Sequence, residues 1–270
     1  MAEPGIDPAV PTAGFSTWKF TGNSGIAVTW SVKRQLLQVL FACCSIACCL
    51  EASAQKDSLL FENYNSEQGL SQNSGYALTQ DKEGFIWIGT QDGLNRFDGI
   101  GFKVYRHNTG DSLSIPFNEI SALLTDKNGY VWICGPLGTA LYDPKTNSFH
   151  KVSRFFNTTN EIDDIACQKL FKDKDDNTWI LSRFNGLFKF NYYSHSIEQF
   201  FKDAPVKDQL TGITQDSQGN IFVSTIDKIF RSNKNSFSIF ISSLPGKETV
   251  MSDLSILNNT LWIATLNNGI

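Results

Sequence analysis

One pattern returns along this chain at a fixed interval, and a fixed interval of this size restricts the fold more than any single motif does. Asp81-Lys-Glu-Gly84-Phe-Ile-Trp87-Ile, running on to Gly93 and Leu94, recurs as Asp126-Lys-Asn-Gly129-Tyr-Val-Trp132-Ile, running on to Gly138. Asp173-Lys-Asp-Asp176-Asn-Thr-Trp179-Ile to Gly186 is a third copy, and Asp216-Ser-Gln-Gly219-Asn-Ile-Phe222-Val a fourth. A partial fifth runs from Asn258-Asn259-Thr-Leu-Trp262-Ile to Gly269. The anchor aromatics at 87, 132, 179, 222 and 262 are spaced by 45, 47, 43 and 40 residues.

Each copy divides into four short strands. An apolar, alternating segment precedes the Asp (76–79, 120–124, 165–170 and 210–214). Asp-x-x-Gly then reverses the chain, the carboxylate capping the turn amides and the glycine taking positive φ. The second strand carries Trp-Ile, and alternation sets Phe85 and Trp87 on one face, Ile86 and Ile88 on the other. A turn ending in Gly93, Gly138 or Gly186 leads to a third strand (94–97, 140–142, 187–190), and a fourth follows at 102–105, 149–152, 197–201 and 237–241. Sheets apolar on both faces need a neighbour on each side. β-Helix repeats are shorter than this, and long runs of helical period are absent, so radial stacking remains: an all-β fold, a β-propeller of four-stranded blades. The repeat tryptophans then fill the wedges between blades. Residues 55–270 number 216, just under five blades at a mean spacing near 44, and the last copy stops after its second strand and turn. Residues 59–65 resemble a fourth strand that would close a ring against its last blade. The expectation is an incomplete ring from a longer chain.

The amino-terminal residues have a different character. Lys33 and Arg34 precede an apolar run from Leu36 to Leu50, followed by Ala52-Ser53-Ala54. A basic pair, a run shorter than the ~20 residues of a spanning helix, and a small-x-small site describe an export signal over 33–54, with Gln55 as the mature first residue. Cleavage ahead of Cys43 or Cys48 would instead make a lipoprotein. Residues 1–32 are rich in Pro, Gly, Ala, Ser and Thr without periodicity, and read as a misassigned or unstructured leader, with translation starting at Val32. Cys43, Cys44, Cys48 and Cys49 leave with the signal, so the mature chain keeps Cys134 and Cys167. Each sits in a strand-like apolar run and reads as a small buried hydrophobe rather than a bridge or a nucleophile. With 41% hydrophobic and 19% charged residues the chain can bury a core, and a net charge of −4 without a Lys/Arg cluster gives no footprint for nucleic acid.

Gly69-Leu70-Ser71, followed by Asp81-x-x-Gly84-x-x-Trp87-Ile88-Gly89-Thr90-x-x-Gly93-Leu94-Asn95-Arg96-Phe97-Asp98-Gly99 and Phe102-x-x-Tyr105, resembles the two-component regulator propeller repeat. The resemblance covers residues 59–270 and is strongest in the first copy. Copy three has Asp176 for Gly and one extra residue before Gly186; copy four has Phe222 for Trp and Lys228 for the later Gly. What the resemblance implies is the periplasmic sensor region of a hybrid histidine kinase. Glycans or their breakdown products would be the ligands. Signalling would run through a homodimer and a phosphorelay to transcription, and the kinase and the inner-membrane helix would lie in downstream parts.

The residues themselves show little catalytic chemistry, and neither an enzymatic activity of this chain nor a cofactor is expected. Asp173-x-Asp175-x-Asn177 opens like a calcium loop, but Thr178 and Phe184 stand where Gly and Glu are needed, so it reads as a solvated turn and no metal site is expected. His107, His150 and His195 fall near fourth strands of successive blades, too far apart for a triad or a zinc site. Ligands of propellers bind at the channel mouth, through loops and strand ends. The candidates just ahead of the inner strands are Asn73, Tyr76, Asn118, Glu119, Asp163, Asp164 and Gln209. The competing readings are a secreted propeller lyase or glycosidase and a passive protein-interaction scaffold.

Overall fold

The computed structural model describes residues 61–154, 163–182, 184–194, 196–202, 210–234, 236–244 and 250–266. The signal, the leader, Gln209 and Gly269 lie outside the described residues.

Four antiparallel sheets of four strands follow one another along the chain. The first comprises β1 (Gly75–Gln80), β2 (Ile86–Thr90), β3 (Gly93–Phe97) and β4 (Phe102–Tyr105). The second has β5 (Ala122–Thr125), β6 (Val131–Gly135), β7 (Gly138–Asp143) and β8 (Ser148–Lys151). The third has β9 (Cys167–Lys172), β10 (Thr178–Ser182), β11 (Leu187–Asn191) and β12 (Ser196–Phe200). The fourth has β13 (Gly212–Gln215), β14 (Ile221–Ser224), β15 (Ile229–Asn233) and β16 (Ser236–Ile241). A fifth sheet pairs β17 (Met251–Leu257) with β18 (Thr260–Thr265). The strands expected from the repeat form where the alternation places them, in an open arc of blades. One strand expected from the sequence does not form within the described residues. Residues 61–65 are not a strand; Asn65 instead caps the short 3-10 turn Ser66–Gln68, and the Tyr64 ring packs 4.9 Å from Phe97 and 5.7 Å from Phe102 of its own blade.

The Asp of each repeat does more than cap. Asp126 Oδ1 accepts the amides of Asn128 (2.8 Å) and Tyr130 (3.0 Å), closing the β5–β6 turn, while Oδ2 accepts the indole N–H of Trp132 at 3.0 Å. Asp81 holds Trp87 at 2.6 Å and Asp173 holds Trp179 at 2.8 Å in the same way. A spacing of six residues thus fixes the rotamer of the largest side chain in the blade. Asp173, expected in a solvated turn, is buried, and its Oδ2 also accepts the Asn177 side-chain amide at 2.8 Å. In the fourth blade Phe222 has no N–H to offer, and the Asn220 side chain takes the indole's place on Asp216 Oδ2 at 2.6 Å. Burial pushes the Asp216 carboxyl up, but the Asn220 side chain and the Asn220 and Gln218 amides prevail and hold it below its ordinary value. Asp176 adopts φ +61°, so the third turn reaches the left-handed region without glycine. In the fifth copy Asn258 and Asn259, at φ +49° and +61°, make a two-residue hairpin in place of the Asp turn.

Each anchor aromatic projects into the wedge shared with the following blade. Trp87 packs among Val131, Ile133, Tyr142 and Phe149; Trp132 among Ile165, Ile180 and Phe190; Trp179 among Ile213, Ile221 and Val223. Trp262 differs, being 49% exposed. A tyrosine from the next blade completes the second wedge: the Tyr192 hydroxyl donates to Asp126 Oδ2 and accepts the Trp132 indole at 2.6 Å. Burial, then the Asp126 charge, pushes the Tyr192 phenol above its ordinary value.

In sequence Cys134 and Cys167 read as separate small hydrophobes; the structure joins them. A disulfide links β6 to β9 across the second wedge, with Cα atoms 5.3 Å apart, and both residues are buried. The equivalent contact between blades one and two is Gly89 against Ile120, where a Cβ on the glycine would lie 2.5 Å from the isoleucine side chain. Apolar packing at this position elsewhere in the fold is what disguises the cysteines.

Two measurements check these couplings. Asp126→Ala removes the acceptor shared by four donors, of which the Trp132 indole keeps the Tyr192 hydroxyl; at about 1–3 kcal/mol for each buried hydrogen bond lost, urea unfolding should show a loss of about 2–3 kcal/mol, larger than that for Asp216→Ala. The Cys134→Ser/Cys167→Ser double variant should lose about 3–4 kcal/mol, from a closed loop with sequence separation 33, and the native disulfide should resist reductant until the chain unfolds.

Candidate functional site

Antiparallel pairing gives the blades two rims. The Asp turns joining first to second strands lie on one, and the hairpins joining second to third strands lie on the other, together with the links between blades. First strands of neighbouring blades run side by side: Thr79 Oγ1 and Thr125 Oγ1 are 3.2 Å apart, and Ser121 Oγ donates to the Cys167 carbonyl at 2.8 Å. These inner strands line the channel, and the link rim forms its mouth.

The candidate residues fall into two groups there. Asn73 Oδ1 accepts the Ser66 amide at 2.8 Å, and Asn118 Oδ1 accepts the His107 amide at 2.7 Å. Asp163 is buried, with Oδ1 accepting the Ser153 amide at 2.9 Å and Oδ2 the Ser153 hydroxyl at 2.7 Å. Its carbonyl accepts the Thr139 amide at 3.0 Å, and a Cβ on Gly138 would lie 2.3 Å from that oxygen, so glycine is required where the link crosses β7. These three side chains secure the links. Tyr76, Glu119 and Asp164 are exposed, one in each of the first three blades.

Two features of this rim escape a reading of the links. Aligned on the anchors, the inner-strand residues paired two positions beyond each aromatic are Ala77, Ala122, Lys169, Gly212 and Asp253. Lys169 Nζ and Asp253 Oδ2 are 2.6 Å apart, joining blade three to blade five. The signal in sequence is charge at a position that is otherwise Ala or Gly. The second feature is a row of exposed apolar hairpin tips, Leu137, Phe184 and Ile226, one in each of blades two to four.

The family described as two component regulator propeller matches residues 69–92 and 114–136. Histidine kinase P4 from Formosa agariphila is 47% identical over 66 residues, 24% of this chain and 5% of that protein. Two segments of the chain are thus similar to the two component regulator propeller repeat. Among solved structures, the extracellular domain of a proposed hybrid two component system, BT3049 from B. thetaiotaomicron, superposes with a TM-score of 0.50 at 22% identity, over 77% of this chain and 34% of that one. Virginiamycin B lyase from Staphylococcus aureus gives a TM-score of 0.54 at 14% identity, over 73% of this chain and 64% of that one. These likenesses are of fold. The chain spans about a third of the BT3049 domain. Among the described residues no helix is long and apolar enough to cross a membrane.

The first matched segment opens at Gly69, and the geometry explains the Gly-Leu-Ser that begins it. Leu70 is buried, the Ser71 amide donates to Asn95 Oδ1 at 2.8 Å, and the Ser71 and Thr90 hydroxyls are 2.8 Å apart. The entering chain is thereby fastened to the second and third strands of its blade. In the fourth blade, where Lys228 replaces the hairpin glycine, the Thr225 amide donates to the Lys228 carbonyl at 2.8 Å and its hydroxyl accepts the Lys228 amide at 2.9 Å.

Thermal unfolding should separate the two groups of rim residues. Asp163→Ala should lower Tm by several degrees, because the two half-buried donors of Ser153 lose their acceptor. Tyr76→Ala, Glu119→Gln and Asp164→Asn should leave Tm within about a degree of the parent.

Proposed function

We propose that this chain is an extracytoplasmic ligand-sensing propeller segment of a hybrid two-component histidine kinase, responding to glycans and signalling by phosphorelay to transcription. The observation that carries this reading is the 47% identity to a histidine kinase over 66 residues. The Cys134–Cys167 disulfide supports it, since such bonds persist in oxidising compartments. In this reading residues 33–54 direct export, residues 1–32 are a leader outside the mature protein, and the propeller begins after Gln55 in the periplasm. The kinase and the membrane helix reside elsewhere in the full-length homodimer, and this chain is itself non-catalytic.

Ligand would be read at the channel mouth, with Tyr76 as an aromatic platform and Glu119 and Asp164 as hydrogen-bond acceptors for sugar hydroxyls. Asn73, Asn118 and Asp163 would hold the links that present them, and Gln209 belongs to the equivalent link of blade four. Differential affinity for two dimer arrangements would bias the kinase. The enzyme alternative lacks support at this site: His107 Nδ1 lies 2.9 Å from the Ile115 carbonyl, and His150 sits on the outer strand β8 with Arg154 Nη1 2.9 Å from its Nδ1.

The test is thermal unfolding of the purified chain against an oligosaccharide panel. Sensing predicts a concentration-dependent rise in Tm with at least one glycan, reduced by Tyr76→Ala. No rise with any member of a broad panel, at millimolar concentrations, would count against glycan sensing.

A further inference from the structure

Lys169 and Asp253 meet in a layer of the channel whose other described members are Ala77, Ala122 and Gly212. The meeting depends on the glycine. A Cβ at Gly212 would lie 2.8 Å from Asp253 Oδ1 and 2.8 Å from the Leu254 amide nitrogen, so its absence lets Asp253 lean from blade five across blade four to blade three. All three residues sit in the opening turns of their inner strands, on the side of the channel mouth.

The partners differ in what they lose on separation. Asp253 Oδ1 accepts the Leu254 amide at 2.7 Å and keeps that donor if Lys169 moves. The Lys169 ammonium, once parted from Asp253, is left to water or to another anion. The two side chains are 33% and 50% exposed, and pairs this open to water contribute little to stability, so exchanging one carboxylate for another costs little. The other described residues of the layer, Ala77, Ala122 and Gly212, carry no long side chain.

We propose that Lys169 is an anion-binding anchor in the channel, occupied by Asp253 in the ligand-free protein, and that a ligand bearing a carboxylate or sulfate enters by replacing Asp253. Replacement releases blade five from blade three, which converts binding into a change between blades. The inference rests on the reading of the propeller as a sensor and adds to it the charge of the ligand and the residue that receives it.

NMR titration of the purified chain at constant ionic strength tests it, with sodium glucuronate, sodium sulfate and neutral glucose as probes. Asp253→Asn removes the competitor while keeping the Leu254 hydrogen bond, and should bind both anions roughly two- to fivefold more tightly than the parent. Lys169→Arg should retain the binding, Lys169→Met should lose it, and glucose should respond to none of these changes. Anion binding to Asp253→Asn that is no tighter than to the parent, or is unchanged in Lys169→Met, overturns the proposal. Thermal unfolding of each variant establishes that it is folded. Stabilisation by a neutral oligosaccharide together with a negative anion titration would reject the anchor and leave the sensor reading intact.

Discussion

A buried carboxylate at the first turn of the blade ties local structure to the packing of the whole arc. One oxygen of Asp81, Asp126 or Asp173 closes the turn through two backbone amides; the other holds the indole that fills the wedge against the following blade. Turn formation and inter-blade packing therefore succeed or fail together. The same rim carries a second tie between blades, from the residue after the Asp. Lys82 Nζ donates to the Lys127 carbonyl, and Lys174 Nζ to the Asp216 carbonyl at 2.7 Å. With the Asp rim committed to structure in this way, the opposite rim, whose hairpins and links tolerate exposed Tyr76, Leu137 and Phe184, is where variation can serve recognition.

The wedge has a second constant position near the mouth. It is Gly89 against Ile120 in the first wedge, Cys134 bonded to Cys167 in the second, and Leu181 with Leu210 in the third, all of them buried. Three kinds of chemistry fill one geometric slot: close approach, covalent bond and apolar packing. The covalent solution fastens blade two to β9, the strand that also carries Lys169, so the channel layer is anchored on one side by a bond that water cannot exchange and on the other by an ion pair that it can.

Much of this was legible because the determining interactions are short in sequence. The six-residue step from Asp to Trp, the glycine or asparagine at positive φ, and the strand alternation all act within one blade, so Asp126, Gly129 and Trp132 announce their roles locally. Contacts between blades are not local, and there the sequence is ambiguous. Cys134 and Cys167 look like hydrophobes because the slot is hydrophobic in other wedges. Lys169 and Asp253 lie in apolar strands, and only register aligned on the anchors shows them to share a layer. Among the link residues, Asp163 and Asp164 are indistinguishable in sequence, yet one is buried against Ser153 and the other faces water. Adjacent residues in a link can point opposite ways, and the direction is decided by Gly138 and Ser153, which belong to other elements.

The central claim is that the repeat tryptophans are held by carboxylates inside closed wedges. Hydrogen exchange at the indole nitrogens reads this directly. The N–H groups of Trp87, Trp132 and Trp179 should exchange only as the chain unfolds, while that of Trp262, half exposed and without such a partner in its Asn258–Asn259 turn, should exchange orders of magnitude faster. Exchange of all four at one rapid rate would contradict the account.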